Sequence, residues 1–334
     1  MHNSTHITSI QYQITRRINM AFKIYVDGQE GTTGLQIQDY LAQRNDLNLL
    51  KIDAEKRKDL TARKELINEA DLVFLCLPDA AAMESVSLIE SKHTKVIDAS
   101  TAHRTNKDWV YGLPELGNGQ RERIASSTRV ANPGCHATGF ILLINPLIKM
   151  GILPTDYPVS CTSITGYSGG GRKLIEKYQQ GGNSQYIDSP KPYGLKLQHK
   201  HMPEMTALTG LDNPPVFLPV VSNYYKGMAV SVPLVTNRLQ TETSAEDIQK
   251  RLSDFYSGEK FVNVMPYEDD SLLEDGNYFN IEACNGTNNV DIFAFGHEDQ
   301  TLLIARFDNL GKGASGAAVQ NMNLMLGLEE GLGL

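Results

Sequence analysis

The sequence predicts an α/β protein in which a doubly wound parallel sheet is followed by a second, β-rich domain. Over residues 22–131, short apolar segments alternate with helical segments, which is the pattern of βαβ units in a parallel sheet. Beyond residue 150 the segments become apolar or alternating and are typical of strands. The chain has 334 residues, more than the roughly 250–300 at which a single core stops growing. We therefore expect two domains.

The first predicted strand, 22–27, runs into a glycine-rich turn and then a helical segment at 35–42. The turn has the spacing G-x-x-G-x-x-G, and glycines let a backbone approach a pyrophosphate at a helix N-terminus. This order opens a Rossmann-type dinucleotide-binding domain, although a plain strand-to-helix turn is the alternative. The candidate cofactor-binding residues are Gly28, Gly31, Thr32, Thr33 and Gly34.

The residues after the second predicted strand, 47–52, give two opposed signals about the cofactor. Asp53 stands about where an acidic residue holds the ribose of NAD. The run Lys56-Arg57-Lys58 follows, and it suits either the extra phosphate of NADP or a solvated helix start. The residues alone leave NAD and NADP open, and Arg57 is the candidate phosphate ligand.

The parallel sheet is predicted to continue through a helix at 60–70, a strand at 71–77, a helix at 83–92 and a strand at 95–98. Ligands of such sheets bind at the C-terminal ends of the strands. Pro78 and Ser100 follow two of these ends, so we assign both to the cofactor site. Arg104 lies just beyond Ser100, where its guanidinium suits a carboxylate or a phosphate; an exposed loop arginine is the alternative.

Cys135 lies in the motif N-P-G-C-H-A-T-G, directly before the apolar run 140–148. Pro133 and Gly134 turn the chain after a short strand at 130–131, so the cysteine falls in the first turn of a buried helix. The helix dipole and free amides stabilise a thiolate, so we expect a thiol pKa lowered toward neutrality and a nucleophilic sulfur. An inert packing residue is the alternative. We interpret the other three cysteines as packing residues: Cys76, Cys161 and Cys284.

The second domain is predicted to contain strands at 159–165, 216–221, 228–235, 279–283, 291–295 and 301–307, several of them antiparallel. The turn G-Y-S-G-G-G-R-K at 166–173 leads into a helix at 174–178 and forms a second candidate anion site. We assign Arg172 to it as a bidentate donor and Ser168 as a further substrate ligand. A flexible surface loop is the alternative.

The motif H-K-H-M-P-E at 199–204 supplies the candidate acid/base. Pro203 suits the first position of a helix, which puts His201 just ahead of the helix and Glu204 one turn on. The helix N-terminus disfavours imidazolium and the carboxylate favours it, so we expect a pKa near neutrality for His201. A metal site at His199 and His201 is the rival, but it lacks a third ligand at suitable spacing, so we predict no metal.

Composition excludes several partners and compartments. The net charge of −8 gives no reason to expect nucleic acid or an anionic membrane. No apolar run approaches the roughly 20 residues of a membrane span. Four scattered cysteines without C-x-x-C pairs indicate reduced thiols and a cytoplasmic setting. Residues 1–20 resemble a weak transit peptide in composition, but we favour a disordered tail or an upstream start before Met20.

Several motifs together resemble the N-acetyl-gamma-glutamyl-phosphate reductases of arginine biosynthesis, within the semialdehyde dehydrogenase family. They are N-P-G-C-H-A-T-G at 132–139, H-K-H-M-P-E at 199–204 and D-N-L-G-K-G-A-S-G at 308–316, with the glycine turn, Y-G-L-P-E and G-Y-S-G-G-G-R in order between them. D-G-Q-E-G-T-T-G-L-Q and L-C-L-P-D-A-A-A look like the shorter subtype of that family.

The resemblance implies an NADP-dependent dimer or tetramer with a Rossmann domain and an α+β, glyceraldehyde-phosphate-dehydrogenase-like catalytic domain. We expect the Rossmann domain at 21–134, completed by a helix within 309–334, and the catalytic and oligomerisation domain at 135–308. Cys135 is then the nucleophile and His201 the acid/base, supported by Glu204, while Asn309 joins the cofactor site.

The expected reaction is reduction of N-acetyl-L-glutamyl 5-phosphate to the 5-semialdehyde through a thioester on Cys135. Arg104 and Arg172 are expected to contact its phosphate and carboxylate. Three alternatives stay open. They are an aspartate-semialdehyde dehydrogenase, a lysine-pathway acyl-phosphate reductase, and an NADP-binding protein whose Cys135 senses oxidants.

Overall fold

The computed structural model describes residues 21–29, 31–180 and 188–334, so the predictions for residues 1–20 lie outside it. Its first layer is a sheet of six strands in the order β2-β1-β3-β4-β6-β5, and every pairing is parallel. The strands are β1 (Phe22–Asp27), β2 (Leu47–Leu50), β3 (Leu72–Leu75), β4 (Lys95–Asp98), β5 (Val110–Tyr111) and β6 (Arg129–Ala131). Four helices connect them: α1 (Thr32–Ala42), α2 (Leu60–Glu69), α3 (Asp79–Ser87) and α4 (Gln120–Ser126).

Apolar side chains cover both faces of this sheet, because successive residues of a strand point to opposite sides. On one face, Ile24 and Phe74 pack with Ile37 of α1. On the other, Val73 and its neighbours pack with Ile67 of α2. The doubly wound parallel sheet is confirmed. Helix α3 differs from the predicted 83–92, because it begins directly after its N-cap residue Pro78.

A long buried helix, α5 (Cys135–Lys149), follows β6 and leads to the second sheet. It is buried along nearly its whole length and contributes Phe140, Ile144 and Leu147 to the largest apolar core. At Gly139 the helix lies so close to the second sheet that a Cβ would stand 2.7 Å from the Val230 side chain.

The second sheet has seven strands in the order β11-β12-β13-β10-β7-β9-β8. Its strands are β7 (Ser160–Gly166), β8 (Lys191–Pro192), β9 (Val216–Ser222), β10 (Met228–Val235), β11 (Val262–Val264), β12 (Val290–Gly296) and β13 (Gln300–Phe307). Four of the pairings are antiparallel, whereas β7–β9 and β11–β12 are parallel. The predicted strand at 279–283 is wrong: the segment forms turns, although Phe279 packs against Phe293 as a strand residue would.

Three helices accompany this sheet: α6 (Arg172–Gln179), α7 (Met202–Thr209) and α8 (Ala245–Phe255). The chain then returns to the first sheet through a π-helical turn, Gly311–Ser315, and α9 (Gly316–Leu326). Ala318 and Met322 of α9 lie in the same core as Ile24 of β1. Among the described residues, no helix combines the length and apolarity that crossing a bilayer requires.

Candidate active site

A cleft of about 770 Å³ lies where the C-terminal ends of the parallel strands face the second sheet. The turn Gly31–Thr33 and the segment Cys76–Leu77 line it from the first sheet, while Thr165 and Val221 line it from the second. The start of α5 and the segment before α7 also reach it. Cys135 and His201, predicted from separate motifs, both line this cleft.

Cys135 is the first residue of α5, with Gly134 as an extended N-cap residue. A Cβ at Gly134 would stand 2.5–2.6 Å from atoms of Arg104, Glu204 and His201, so only glycine lets these groups converge beside the cysteine. The predicted low pKa is wrong for this structure. Burial raises the pKa of the Cys135 thiol above its ordinary value, and it outweighs the opposing effects of Arg104 and of the His136 amide.

His201 caps α7 and is 5% exposed. One ring nitrogen of His201 lies within 4.8 Å of the Cys135 sulfur. A small side-chain rotation would bring the two atoms close enough for proton transfer. Burial, with Arg104 next in importance, holds the pKa of His201 well below its ordinary value. The prediction of a pKa near neutrality is therefore wrong, and the ring is a neutral base.

Glu204 does not tune His201 in the way we expected, because its carboxylate is bound elsewhere. It accepts hydrogen bonds from Arg104 at 2.7 Å, from the Tyr111 hydroxyl at 2.6 Å and from the Gly134 amide at 3.1 Å. These bonds fix the turn that carries Cys135. Glu204 is thus a positioning residue in this geometry.

Arg104 lines the cleft, as predicted, but most of its guanidinium is committed to the protein. Besides Glu204, it donates to the carbonyl oxygens of Asn132 at 3.0 Å and Ala99 at 3.1 Å. Its side chain is only 8% exposed. The remaining N–H groups are all that it can offer a substrate.

The glycine-rich turn after β7 lines the cleft through Gly166 and residues 168–171. Ser168 is buried there and accepts a hydrogen bond from Asn309, which itself accepts from the Gly227 amide. Arg172 does not line the cleft. Its side chain is 71% exposed and pairs with Glu176 one turn along α6. The structure therefore gives no support to the prediction of a bidentate donor there.

The turn between β1 and α1 fits a dinucleotide. Gly28 has φ +89°, and a Cβ there would stand 2.3 Å from the Cys76 carbonyl oxygen. A Cβ at Gly34 would stand 2.6 Å from the Gly28 carbonyl oxygen. Thr32 and Thr33 line the cleft with Gly31, and the buried Thr32 hydroxyl has no hydrogen-bond partner. A backbone this close to the cleft and an unsatisfied hydroxyl suit a pyrophosphate.

Gly28 and Gly34 flank the lining residues Gly31–Thr33 without lining the cleft themselves, and three further predicted cofactor residues do not line it either. Pro78 caps α3 immediately after the lining residue Leu77. Ser100 is buried and donates to the Asp98 carboxylate at 2.7 Å. Arg57 follows a 3₁₀ turn beyond β2 and is partly buried. Their roles stay predictions.

Several cleft residues were missed by the sequence analysis. His136 hydrogen-bonds to Ser163 and to the Tyr193 hydroxyl, each at 2.8 Å. His199 packs edge-on against His136, with ring centres 5.3 Å apart. Cys76, interpreted as a packing residue, lines the cleft. Only the position of His136 beside Cys135 was a usable signal, because the other contacts join segments distant in sequence.

Donor atoms of Cys135, His136 and His201 lie within 4.8 Å of one another. A sulfur and two imidazoles are ligands that zinc accepts. Both His136 nitrogens, however, already bond to Ser163 and Tyr193. We interpret the group as a hydrogen-bonded network, and the absence of a metal stays a prediction.

Two family models match the chain: "Semialdehyde dehydrogenase, NAD binding domain" over residues 23–127 and "Semialdehyde dehydrogenase, dimerisation domain" over residues 135–309. The N-acetyl-gamma-glutamyl-phosphate reductase 2 of Nostoc sp. is 50% identical over 320 residues, 93% of this chain and 99% of the relative. The Pseudomonas putida protein of the same name is 49% identical over 308 residues, 91% and 96% of the two chains.

Solved structures share the fold at lower identity. Aspartate semialdehyde dehydrogenase II of Vibrio cholerae, complexed with ASA, superimposes with a TM-score of 0.67 at 13% identity, covering 92% of this chain and 99% of its own. The Francisella tularensis enzyme gives 0.67 at 15% identity, covering 90% and 99%. At this identity the likeness concerns the two-sheet architecture.

Proposed function

Since this chain belongs to the N-acetyl-gamma-glutamyl-phosphate reductases of the semialdehyde dehydrogenase family, we propose that Cys135 and His201 carry out its reaction in the cleft between the two sheets. The reaction reduces N-acetyl-L-glutamyl 5-phosphate to the 5-semialdehyde and is a step of arginine biosynthesis. The observation that carries the proposal is the Cys135 sulfur within 4.8 Å of the His201 ring, in the cleft that the Gly31–Thr33 turn also lines.

His201 first acts as the base. Both groups are uncharged at rest, so the thiol proton passes to the ring as the sulfur attacks the acyl carbon. The S–C bond forms, the C–O bond to phosphate breaks, and phosphate leaves with the electron pair. The imidazolium then returns its proton to the departing phosphate, and a thioester remains on Cys135.

The N-terminal amides of α5 stabilise the oxyanion that develops at each addition to the acyl carbon. They point toward the sulfur, and the His136 amide already hydrogen-bonds to it. Backbone donors at a helix N-terminus are fixed in advance and need no reorganisation. Bonds from Glu204 to the Gly134 amide and to Arg104 keep this end of the helix in place.

The matched family domain indicates a nicotinamide dinucleotide cofactor, and we assign its pyrophosphate to the Gly28–Gly34 turn. When bound, the nicotinamide supplies the hydride that reduces the thioester. His201, neutral after phosphate has left, takes up a proton from solvent and donates it to the resulting alkoxide. It removes that proton again as the C–S bond breaks, which releases the aldehyde and returns the proton to the Cys135 sulfur.

We assign NADP rather than NAD because Lys56, Arg57 and Lys58 follow β2, the strand paired with β1. Replacing Arg57 with alanine is expected to raise the KM for NADPH about tenfold and to leave that for NADH unchanged. The matched control is Lys64→Ala on α2, a lysine paired with Glu90. Equal effects on both cofactors would refute the assignment.

The family model for the second half is a dimerisation domain, and we propose that the chain forms a homodimer or tetramer in the cytoplasm. The structure has four free cysteines in its described residues, as a reducing compartment requires. Sedimentation of the purified chain measures the assembly.

The test of the mechanism is NADPH oxidation with N-acetylglutamyl phosphate. We expect Cys135→Ser to lose at least about a thousandfold in kcat, since it removes the nucleophile. Cys284→Ser is the control, because Cys284 lies away from the cleft beside Asp291. Unchanged turnover in Cys135→Ser would exclude the thioester. A redox sensor predicts cofactor binding without turnover, and an aspartate-semialdehyde dehydrogenase predicts activity only with the unacetylated aspartyl substrate.

A further inference from the structure

The charged residues that line the cleft are all cationic: Arg104, Lys191 and Lys200. No carboxylate is among the lining residues that the structure describes, although the whole chain carries a net charge of −8. A cleft of one sign with low-dielectric walls concentrates ligands of the opposite sign. The cleft is therefore built for an anion within an acidic protein.

Arg104 and Arg172, the two arginines expected to bind the anionic substrate, are both engaged in other contacts. Arg104 donates to Glu204 and to two backbone carbonyl oxygens. Arg172 pairs with Glu176 outside the cleft. A different cation must therefore neutralise most of the substrate's charge.

Lys200 stands between the two histidines of the motif before α7, and its backbone is held on both sides. The His201 amide donates to the His199 ring nitrogen at 3.3 Å, across Lys200. The two rings pack edge to face with centres 4.8 Å apart. Lys200 has no salt bridge among the described residues, and its exposed side chain lines the cleft.

Lys200 lines the same cleft as Cys135, His136 and His201 and is next to His201 in the chain. Its positive charge acts against the burial that raises the pKa of Cys135, and it adds to the burial that lowers the pKa of the three histidines His136, His199 and His201. Asp79 is an anion that also interacts with Lys200, whose charge helps the Thr101 hydrogen bonds to lower the pKa of this carboxyl. Asp79 is occupied by Thr101, which donates its amide at 2.9 Å and its hydroxyl at 2.5 Å.

We propose that Lys200 binds the phosphoryl group of the acyl phosphate and determines the enzyme's phosphate affinity. This inference rests on the proposed function. The phosphate is bonded to the carbon that the sulfur attacks, whereas three carbons separate that carbon from the substrate's α-carboxylate. Because His201 lies within 4.8 Å of the sulfur, the adjacent Lys200 in the same cleft is expected to meet the phosphate rather than the carboxylate. It stabilises the negative charge on phosphate as the C–O bond breaks and the S–C bond forms.

The test uses the reverse reaction, in which the full-length enzyme oxidises N-acetylglutamate 5-semialdehyde with NADP and inorganic phosphate. For Lys200→Met we expect the KM for phosphate to rise about tenfold or more, with the KM for the semialdehyde within about twofold. Lys200→Arg is expected to restore most of the phosphate affinity. The control is Lys196→Met, an exposed lysine of the same loop that does not line the cleft.

A second readout does not depend on turnover. Inorganic phosphate is expected to protect Cys135 from iodoacetamide, and Lys200→Met should raise the half-protecting concentration about tenfold. An unchanged half-protecting concentration, or a rise in the KM of the semialdehyde alone, overturns the assignment of Lys200. Absence of wild-type turnover with the semialdehyde instead contradicts the proposed function, and the protection assay then still decides whether Lys200 binds phosphate.

Discussion

Cys135 and His201 share one buried environment, and burial favours the uncharged form of both side chains. Loss of solvation disfavours the thiolate and the imidazolium alike, so burial raises the pKa of Cys135 and lowers that of His201. The neutral pair is consequently the resting form. A phosphate anion entering the cleft favours imidazolium, which couples substrate binding to activation of the sulfur.

This environment predicts how Cys135 reacts with pH. Because the pKa of the thiol is raised, the thiolate fraction and the iodoacetamide alkylation rate should still climb about tenfold per pH unit as pH approaches 9. Mass spectrometry of the Cys135 peptide at timed intervals measures the rate. A plateau near pH 7 would mean that the helix N-terminus dominates over burial.

Tyr111 is expected to act through Glu204. Replacing it with phenylalanine removes the hydroxyl that donates to the carboxylate at 2.6 Å, deep in the protein. We expect a loss of about 1–3 kcal/mol in the free energy of unfolding, measured with urea, and a lower kcat at constant KM.

Tyr278→Phe is the matched control for this change, since Tyr278 is 63% exposed. Equal unfolding midpoints for wild type and Tyr111→Phe would contradict the role of the hydroxyl.

Sequence reasoning found Cys135 and His201 because each sits in a short motif with its own helix start. It could not give their pKa values, which depend on desolvation by segments far apart in the chain. The sequence also could not show that Arg172 lies outside the lining of the cleft, because a glycine-rich turn indicates available backbone amides but not the direction of the next side chain. The sequence analysis assigned no role to Lys200, because the two flanking histidines were the candidate catalytic or metal-binding groups.

At the scale of elements, the π-helical turn Gly311–Ser315 is held by a buried ion pair. Lys312 donates to Glu115 and to Gln320, each at 2.6 Å, and both charged side chains are 0% exposed. The turn brings Gly313 so close that a Cβ would stand 2.9 Å from the Cβ of Cys135. The ion pair therefore supports the part of the cleft wall that lies against Cys135.

Breaking this ion pair should lower the stability of the folded protein. Lys312→Met leaves the Glu115 carboxylate buried without its cation, and we expect a loss of about 3–5 kcal/mol in the free energy of unfolding. The double variant Lys312→Met, Glu115→Gln should recover much of it, because no buried charge remains. Urea denaturation of wild type, Lys312→Met, Glu115→Gln and the double variant measures the difference. Additive losses in the double variant would contradict the coupling of the two side chains.

The elements themselves were mostly predictable, since hydrophobic periodicity and glycine or proline boundaries are local signals. The parallel strands and α5 lie close to where the sequence puts them. The exceptions are instructive: residues 279–283 have the composition of a strand but pack through aromatic contacts without pairing. Strand pairing depends on partners that no local pattern specifies.

For the whole molecule, the buried histidines predict acid sensitivity. Burial lowers the pKa of His136 to about 3, from 6.5, and that of His201 well below its ordinary value. Below pH 6.5 these histidines bind protons in the unfolded chain but stay neutral in the folded chain. Stability present at pH 7 is therefore lost as the pH falls toward the pKa values of the folded state. The two rings together give a slope of about 2.7 kcal/mol per pH unit near pH 5. The partly buried His199, whose pKa burial lowers to about 4, adds to this slope.

Urea unfolding between pH 7 and pH 4.5 measures this slope. His136→Asn should reduce the slope by about a third to a half, because His199 and His201 still contribute, whatever the substitution does to stability at pH 7. The exposed His93 provides the control, because His93→Gln should leave the slope unchanged. An identical slope in His136→Asn would show that other groups cause the acid sensitivity.

The return of α9 to the first sheet has a consequence for biosynthesis. Ala318 and Met322 fill the core beneath β1, yet the ribosome makes them long after β6. At roughly 5–20 residues per second, the wait is on the order of 10–40 s. During that time the nascent nucleotide-binding half exposes an apolar face that its own chain cannot yet cover. We therefore expect ribosome-associated chaperones to bind it.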